Sequence, residues 1–239
     1  MDRDLLLRKA FAEFLGTMLL VATVVGSGIA ASRLSPDDVG LQLLQNALVT
    51  GAVLVALILA LGPVSAAFNP VVTLVERAFG AITTPVAALL IGAQVLGGCL
   101  GSVLANLMFE LDAVDLSSTE RSAGSLWLAE VVATLGLVVV VFGVVRSGRS
   151  AHVAYAVGAY ITAAYWFTSS TSFANPAVTI GRTLSDTFAG IAPSSVPMFV
   201  LMQLVGGGLA YGVVRLLYPR AAELAADLTR LSEPEGASR

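Results

Sequence analysis

The chain has 239 residues, of which 56% are hydrophobic and only 12% are charged, with a formal net charge of -3. Because an ordinary soluble domain is about 25% charged, this composition excludes a soluble enzyme and indicates an integral membrane protein. The absence of a long basic face also excludes a nucleic-acid-binding protein. One histidine, His152, leaves no room for a multi-histidine metal site, so neither a metal nor a cofactor is expected.

Six apolar segments follow one another along the chain, and most reach the roughly 20 residues that a spanning helix needs. They run over residues 10–31, 41–61, 86–109, 126–145, 153–167 and 196–217. The fifth is short and needs flanking residues such as Ala151 and Thr168 to cross a bilayer. An even number of spans places both termini on the same side of the membrane.

Charged residues between the spans predict which side that is. Basic residues flank one set of ends: Arg3, Arg8, Lys9, Arg77, Arg146, Arg149, Arg215 and Arg220. The opposite loops are mainly acidic, with Asp37, Asp38, Glu110, Asp112, Asp115 and Glu120, and with Arg33, Arg121 and Arg182 as exceptions. The positive-inside rule therefore predicts that both termini lie in the cytoplasm. We expect the protein to be located in the cell membrane (inner or plasma).

Two Asn-Pro motifs lie between spans, at Asn69-Pro70-Val71 and Asn175-Pro176-Ala177. Asparagine caps a helix and proline fits the first helical position, so each motif predicts a helix start. The helices that follow, over residues 71–79 and 177–184, are too short to span. Non-helical backbone at membrane depth requires burial or a watery cavity, so the matched pair indicates a pore.

The two halves of the chain resemble each other. Glu13 corresponds to Glu130 at an offset of 117 (130 − 13), and Asn69 to Asn175 at an offset of 106 (175 − 69). Since each half holds three spans, the second copy is inserted upside down, and inverted repeats of interrupted segments indicate a substrate path between them. We predict one channel domain over residues 1–220, with repeats over about 10–117 and 125–218, and a cytoplasmic tail over 221–239.

These paired motifs, the inverted repeat and the glutamates of spans 1 and 4 resemble the aquaporin, or major intrinsic protein, family. The resemblance implies an all-α integral membrane fold with six transmembrane helices and two re-entrant half-helices. It also implies a homotetramer whose subunits each conduct water or small neutral solutes and exclude protons. Asn69 and Asn175 match the pore asparagines of that family, and Glu13 and Glu130 match its buried, loop-supporting glutamates.

The chain departs from the family pattern in both motifs. Val71 replaces the usual alanine of the first motif and adds two methyl groups. Val178 stands where most relatives have an arginine directly after the second motif, and it offers neither charge nor hydrogen-bond donor. Arg182 follows about one helical turn later, and we do not expect it to substitute.

The remaining filter positions follow from counting along the loops. Ser172 matches the position three before Asn175, and span 2 supplies Thr50 or Val49, of which we select Thr50. Span 5 contributes one of Ala163, Ala164 and Tyr165, of which we select Ala163. A filter of Val178, Ser172, Thr50 and Ala163 is wider and less polar than a water-only filter.

This filter predicts a passive channel that passes water, glycerol-like solutes and the neutral hydroxides of trivalent arsenic and antimony. The chain is similar to arginine-less bacterial members of the family in having a valine, Val178, directly after the second motif. Those members are associated with arsenite handling. The alternatives are a strictly water-selective aquaporin and a secondary transporter. An intramembrane enzyme is disfavoured, because the spans hold no catalytic Ser/His pair, metal cluster or paired aspartates.

Overall fold

The computed structural model describes residues 3–219, and this part of the chain folds into α-helices joined by loops and short 3-10 turns. In chain order the helices are α1 (Arg3–Leu34), α2 (Val39–Leu61), α3 (Pro70–Ala78), α4 (Thr84–Met108), α5 (Gly124–Arg146), α6 (Val153–Phe167), α7 (Pro176–Gly181) and α8 (Val196–Leu217). The predicted tail over residues 221–239 lies outside the described residues.

Within residues 3–219, five helices are long and apolar enough to cross a membrane, namely α1, α2, α4, α5 and α8. The fifth predicted span, α6, has 15 residues, or about 22 Å at 1.5 Å per residue. A 3-10 turn over Ser150–His152 leads directly into it. Helix α6 is not among the five helices of spanning length, so its role as the sixth span, with the help of flanking residues, stays a prediction.

Both short helices begin at the predicted motifs. The side chain of Asn69 caps α3 by accepting a hydrogen bond from the Val71 N–H at 2.9 Å. Asn175 caps α7 in the same way, accepting from the Ala177 N–H at 3.0 Å. In each helix the proline that follows occupies the first turn, where its missing N–H leaves no intrahelical bond unmade. A local capping rule thus fixes where both half-helices start.

The long helices pack as two equivalent sets. Helix α1 packs most extensively against α4, and α5 packs against α8 in the corresponding place. Gly97 and Gly206 mark these two crossings, since a Cβ atom on either would overlap a backbone carbonyl of the opposing helix, at Phe14 and Val131 respectively. Glycine is therefore required at both positions for the backbones to approach this closely.

Each half-helix packs against the last long helix of the other repeat: α7 contacts α4, and α3 contacts α8. Gly98 of α4 lies against the Ala177 carbonyl, and Gly207 of α8 lies against the Val71 side chain. Val71 is only 1% exposed and packs in an apolar cluster with residues of α5 and α8. The extra methyl groups of the first motif are thus accommodated against Gly207, away from the cavity described below.

Candidate functional site

A cavity of about 890 Å³ lies within the helix bundle and is lined by residues of both halves of the chain. One end, the inner end, is lined by Leu6 and Lys9 of α1 together with Thr83 at the start of α4. The other end, the filter end, is lined by Thr50, Tyr165, Ser172, Val178 and Arg182. Asn69 and Asn175 both line the same cavity between these ends. The two predicted pore asparagines are therefore brought together on one passage.

The asparagines are linked to each other's loops. The Asn69 Nδ2 donates to the Ala174 carbonyl at 2.7 Å, and the Asn175 Nδ2 donates to the Phe68 carbonyl at 2.6 Å. Each amide has two N–H donors, so one remains for a molecule in the cavity. Both asparagines line the cavity, and each comes from a different half of the chain.

The carbonyls that accept these bonds lie in strained backbone. Phe68 has φ = 47° and Ala174 has φ = 49°, both in the left-handed region. Residues with a side chain rarely adopt this conformation, at a typical cost of about 1–2 kcal/mol. Such backbone persists only where surrounding contacts hold it, and the two buried glutamates provide those contacts.

Glu13 is fully buried in α1 and holds the loop that precedes α3. Its carboxylate accepts from the Ser65 hydroxyl at 2.5 Å, from the Ala67 N–H at 2.8 Å and from the Phe68 N–H at 2.7 Å. Two of these donors are backbone groups of the non-helical loop, which have no partner within secondary structure. The carboxylate therefore satisfies them and fixes the Phe68 carbonyl in place.

Glu130 performs the equivalent task for the second loop and is also fully buried. It accepts from the Ser170 hydroxyl at 2.6 Å, from the Phe173 N–H at 3.0 Å and from the Ala174 N–H at 2.9 Å. The second loop is thus held as the first is, by a hydroxyl and two consecutive backbone donors. Both glutamates thus contact the loops that they were predicted to support.

Two glutamines connect each glutamate to its half-helix. The Gln94 Nε2 donates to Glu13 at 2.8 Å and to the Thr73 hydroxyl of α3 at 2.9 Å. The Gln203 Nε2 donates to Glu130 at 2.6 Å and to the Thr179 hydroxyl of α7 at 2.9 Å. Gln94 and Gln203 therefore make equivalent contacts in the two halves of the chain.

Three of the four predicted filter residues line the filter end: Thr50, Ser172 and Val178. The prediction for Ala163 is wrong, because its side chain is exposed on the outer face of α6 and does not line the cavity. Tyr165, two positions later, lies on the cavity side and is 3% exposed. Its hydroxyl lies 3.2 Å from the Thr50 hydroxyl, within hydrogen-bonding distance.

Arg182 also reaches the cavity wall, which the sequence did not lead us to expect. It follows α7 directly, in the 3-10 turn Arg182–Leu184, and is 2% exposed. Its guanidinium carbon lies 3.5 Å from the centre of the Phe173 ring, a stacking contact, and its Nε donates to the Ala189 carbonyl. The side chain thus folds back along α7 toward the filter end.

Comparison with known proteins places these features in context. The profile described as major intrinsic protein matches residues 2–168. The chain is 47% identical over 234 residues to aquaglyceroporin AqpS of Rhizobium meliloti (strain 1021), covering 97% of both chains. It is 33% identical over 141 residues to aquaporin-2 of Homo sapiens, which covers 56% of this chain and 50% of that protein.

Among solved structures, the X-ray structure of the aquaglyceroporin from Plasmodium falciparum superposes with a TM-score of 0.70. The match covers 90% of this chain and 98% of that one, at 18% sequence identity. At this identity the likeness establishes the fold alone.

Proposed function

The chain belongs to the major intrinsic protein family, whose aquaglyceroporins are channels and not enzymes, and we propose that its pore passes neutral solutes larger than water. The proposed solutes are glycerol-like polyols and the hydroxides of trivalent arsenic and antimony, together with water itself. A passive channel for water and small solutes is supported by the relative named as an aquaglyceroporin, which matches nearly the full length of the chain.

The observation that carries the wider solute range is Val178 on the wall of the filter end. A valine at this point adds neither a charge nor a hydrogen-bond donor that would favour water molecules in single file over larger solutes. Ser172 contributes only a hydroxymethyl group to this wall, which is much smaller than an aromatic or histidine side chain. An undissociated polyol or arsenic hydroxide presents both hydroxyl groups and an apolar or polarisable body, which suits a wall of mixed valine, tyrosine, serine, threonine and arginine.

The central asparagines support selectivity for neutral solutes. Each lies at the N-terminus of a half-helix, where about half an elementary positive charge develops. A water that accepts from Asn69 and Asn175 together is oriented so that it cannot pass a proton along the file, and the positive field opposes cations. Neutral hydroxylated molecules meet the same donors without that electrostatic penalty.

The membrane placement extends the proposal. We infer a homotetramer in the inner or plasma membrane with both termini in the cytoplasm, so that the inner end of the cavity opens to the cytoplasm. Lys9 at that end and the basic residues Arg77 and Arg146 support this direction through the positive-inside rule. Cysteine accessibility in intact cells and the mass of the detergent-solubilised protein test orientation and assembly separately.

Stopped-flow light scattering of proteoliposomes tests the solute range. In a glycerol gradient, vesicles containing the channel should shrink and then re-swell, whereas protein-free vesicles should only shrink. Arsenite uptake, measured by elemental mass spectrometry after filtration, should rise without saturating. Fast water flux without glycerol or arsenite entry would favour the strictly water-selective alternative. Saturable flux that depends on pH or sodium would favour a secondary transporter.

A further inference from the structure

Arg182 places a guanidinium on the cavity although the position after the second motif holds valine. Its terminal nitrogens differ from its Nε in their hydrogen bonding. Nε donates to the Ala189 carbonyl, and among residues 3–219 no hydrogen bond is found for either Nη atom. Arg182 is 2% exposed and lines the cavity. The guanidinium of a cavity-lining arginine is therefore bonded to the protein through its Nε alone.

A second unpaired polar group lines the same end. The Ser172 hydroxyl is buried without a hydrogen-bond partner, and the residue is 4% exposed. A buried hydroxyl without a partner costs about 1–3 kcal/mol, so such a group is normally satisfied by water or a ligand. Ser172 lies next in sequence to Phe173, whose ring Arg182 stacks on, and both polar groups line the filter end.

We propose that Arg182 and Ser172 form a discriminating site at the filter end, in which the Arg182 charge rejects cations and both side chains donate to hydroxyl groups of neutral solutes. Arg182 enters from one turn beyond the position that Val178 leaves uncharged. The pore thus combines a wall widened by valine with a fixed positive charge set to one side. This inference rests on the proposed pore but not on which solutes pass through it.

A purely structural role is the competing explanation, because Arg182 also stacks on Phe173 and ties the loop at Ala189. The chain offers a matched comparison in Arg121. Its guanidinium carbon lies 4.9 Å from the centre of the same Phe173 ring, and its Nε donates to the neighbouring Gly190 carbonyl at 3.0 Å. Arg121 does not line the cavity. The two arginines therefore share their structural contacts and differ in access to the passage.

The test compares R182M, R182K and R121M in proteoliposomes, with water flux as the measure of a folded, open channel. Sodium entry is driven by an inside-negative potassium diffusion potential and followed with a sodium-sensitive dye. We expect sodium entry to rise roughly tenfold or more in R182M, because a unit charge within about 4 Å of a passing cation opposes it strongly even at an effective permittivity of about 20. R182K should stay near the unmodified channel, and so should R121M.

The glycerol-to-water flux ratio gives the second readout. It should fall several-fold in R182M and in S172A, since each removes donors that replace the water shed by the solute. The inference is overturned if R182M and R121M show the same sodium entry and the same flux ratio. Should R182M fail to insert, R182Q keeps a neutral donor at the site and must still admit sodium. Absence of glycerol flux in the unmodified channel would refute the proposed solute range, whereas the sodium result would still decide the role of the Arg182 charge.

Discussion

Replacing Glu130 by glutamine is the sharpest test of how the second loop is held. The carboxylate has two acceptor oxygens, and glutamine keeps one while turning the other into an NH2 donor. Oε1 accepts from Ser170 and Phe173, whereas Oε2 accepts from Ala174 and Gln203. The shape of the side chain is preserved, so the change isolates hydrogen bonding and charge from packing.

The expected loss follows from those four bonds. In either orientation the new NH2 faces a backbone N–H, that of Phe173 or that of Ala174. One buried donor is then unpaired, at about 1–3 kcal/mol, and the remaining bonds lose their charge-assisted strength, which is roughly twice that of neutral bonds. We expect a total destabilisation of about 3–5 kcal/mol. For a domain of this size that corresponds to a fall in melting temperature of roughly 10 °C.

The assay is thermal unfolding of the detergent-solubilised protein together with water flux in proteoliposomes. Water flux should fall because the Ala174 carbonyl, which accepts from Asn69, loses its support. E13Q should behave alike, since Glu13 holds the other loop. E110Q is the control: Glu110 is exposed and its change should stay within about 0.5 kcal/mol. If E130Q melted like E110Q and conducted water normally, the loop-holding role of the carboxylate would be refuted.

Three further predictions concern other parts of the fold. V178R should abolish flux of glycerol-sized solutes and retain water flux, because it narrows the filter end; stopped-flow scattering measures both, and unchanged glycerol flux would contradict the role of Val178. G207A should lower thermal stability by roughly 1–3 kcal/mol through overlap with Val71, and a double-mutant cycle with V71A should recover most of it; additive effects would count against this contact. The pKa of Asp186 is lowered from 3.8, chiefly by the hydrogen bond from the Ser118 N–H. The hydrogen bond between Asp186 and Ser118 is therefore fully formed above pH 4, and it is lost as the pH falls through the lowered pKa of Asp186. Hydrogen exchange at the Ser118 amide should show that loss relative to D186A, and equal protection in both at pH 6 would be the contrary result.

The features that sequence reasoning predicted well depend on local rules or on the internal repeat. Helix starts at Asn69 and Asn175 follow from capping chemistry, which acts within a few residues of the motif. The correspondence of Glu13 with Glu130 follows from comparing the two halves. These signals do not depend on how distant parts of the chain meet.

The features that it missed depend on the rotation of a helix and on long side chains. The choice among Ala163, Ala164 and Tyr165 depends on how α6 is rotated about its own axis, because all three residues lie within that helix. Packing of α6 against α2 and α5 sets this rotation, and the spacing of residues within α6 does not reveal it. Arg182 was missed because spacing along a helix gives the position of its Cα and not the direction of its side chain. Stacking on Phe173 turns the side chain toward the cavity.

The crossed amide–carbonyl bonds have a consequence for biosynthesis. Asn69 takes its acceptor from Ala174 and Asn175 takes its acceptor from Phe68, so neither loop is complete until both have been translated and inserted. A nascent chain that has emerged only through α4 lacks the partner loop, so Asn69 has no Ala174 carbonyl to bind and the Phe68 carbonyl has no Asn175 donor. We therefore expect a product truncated before α7 to lack a finished passage.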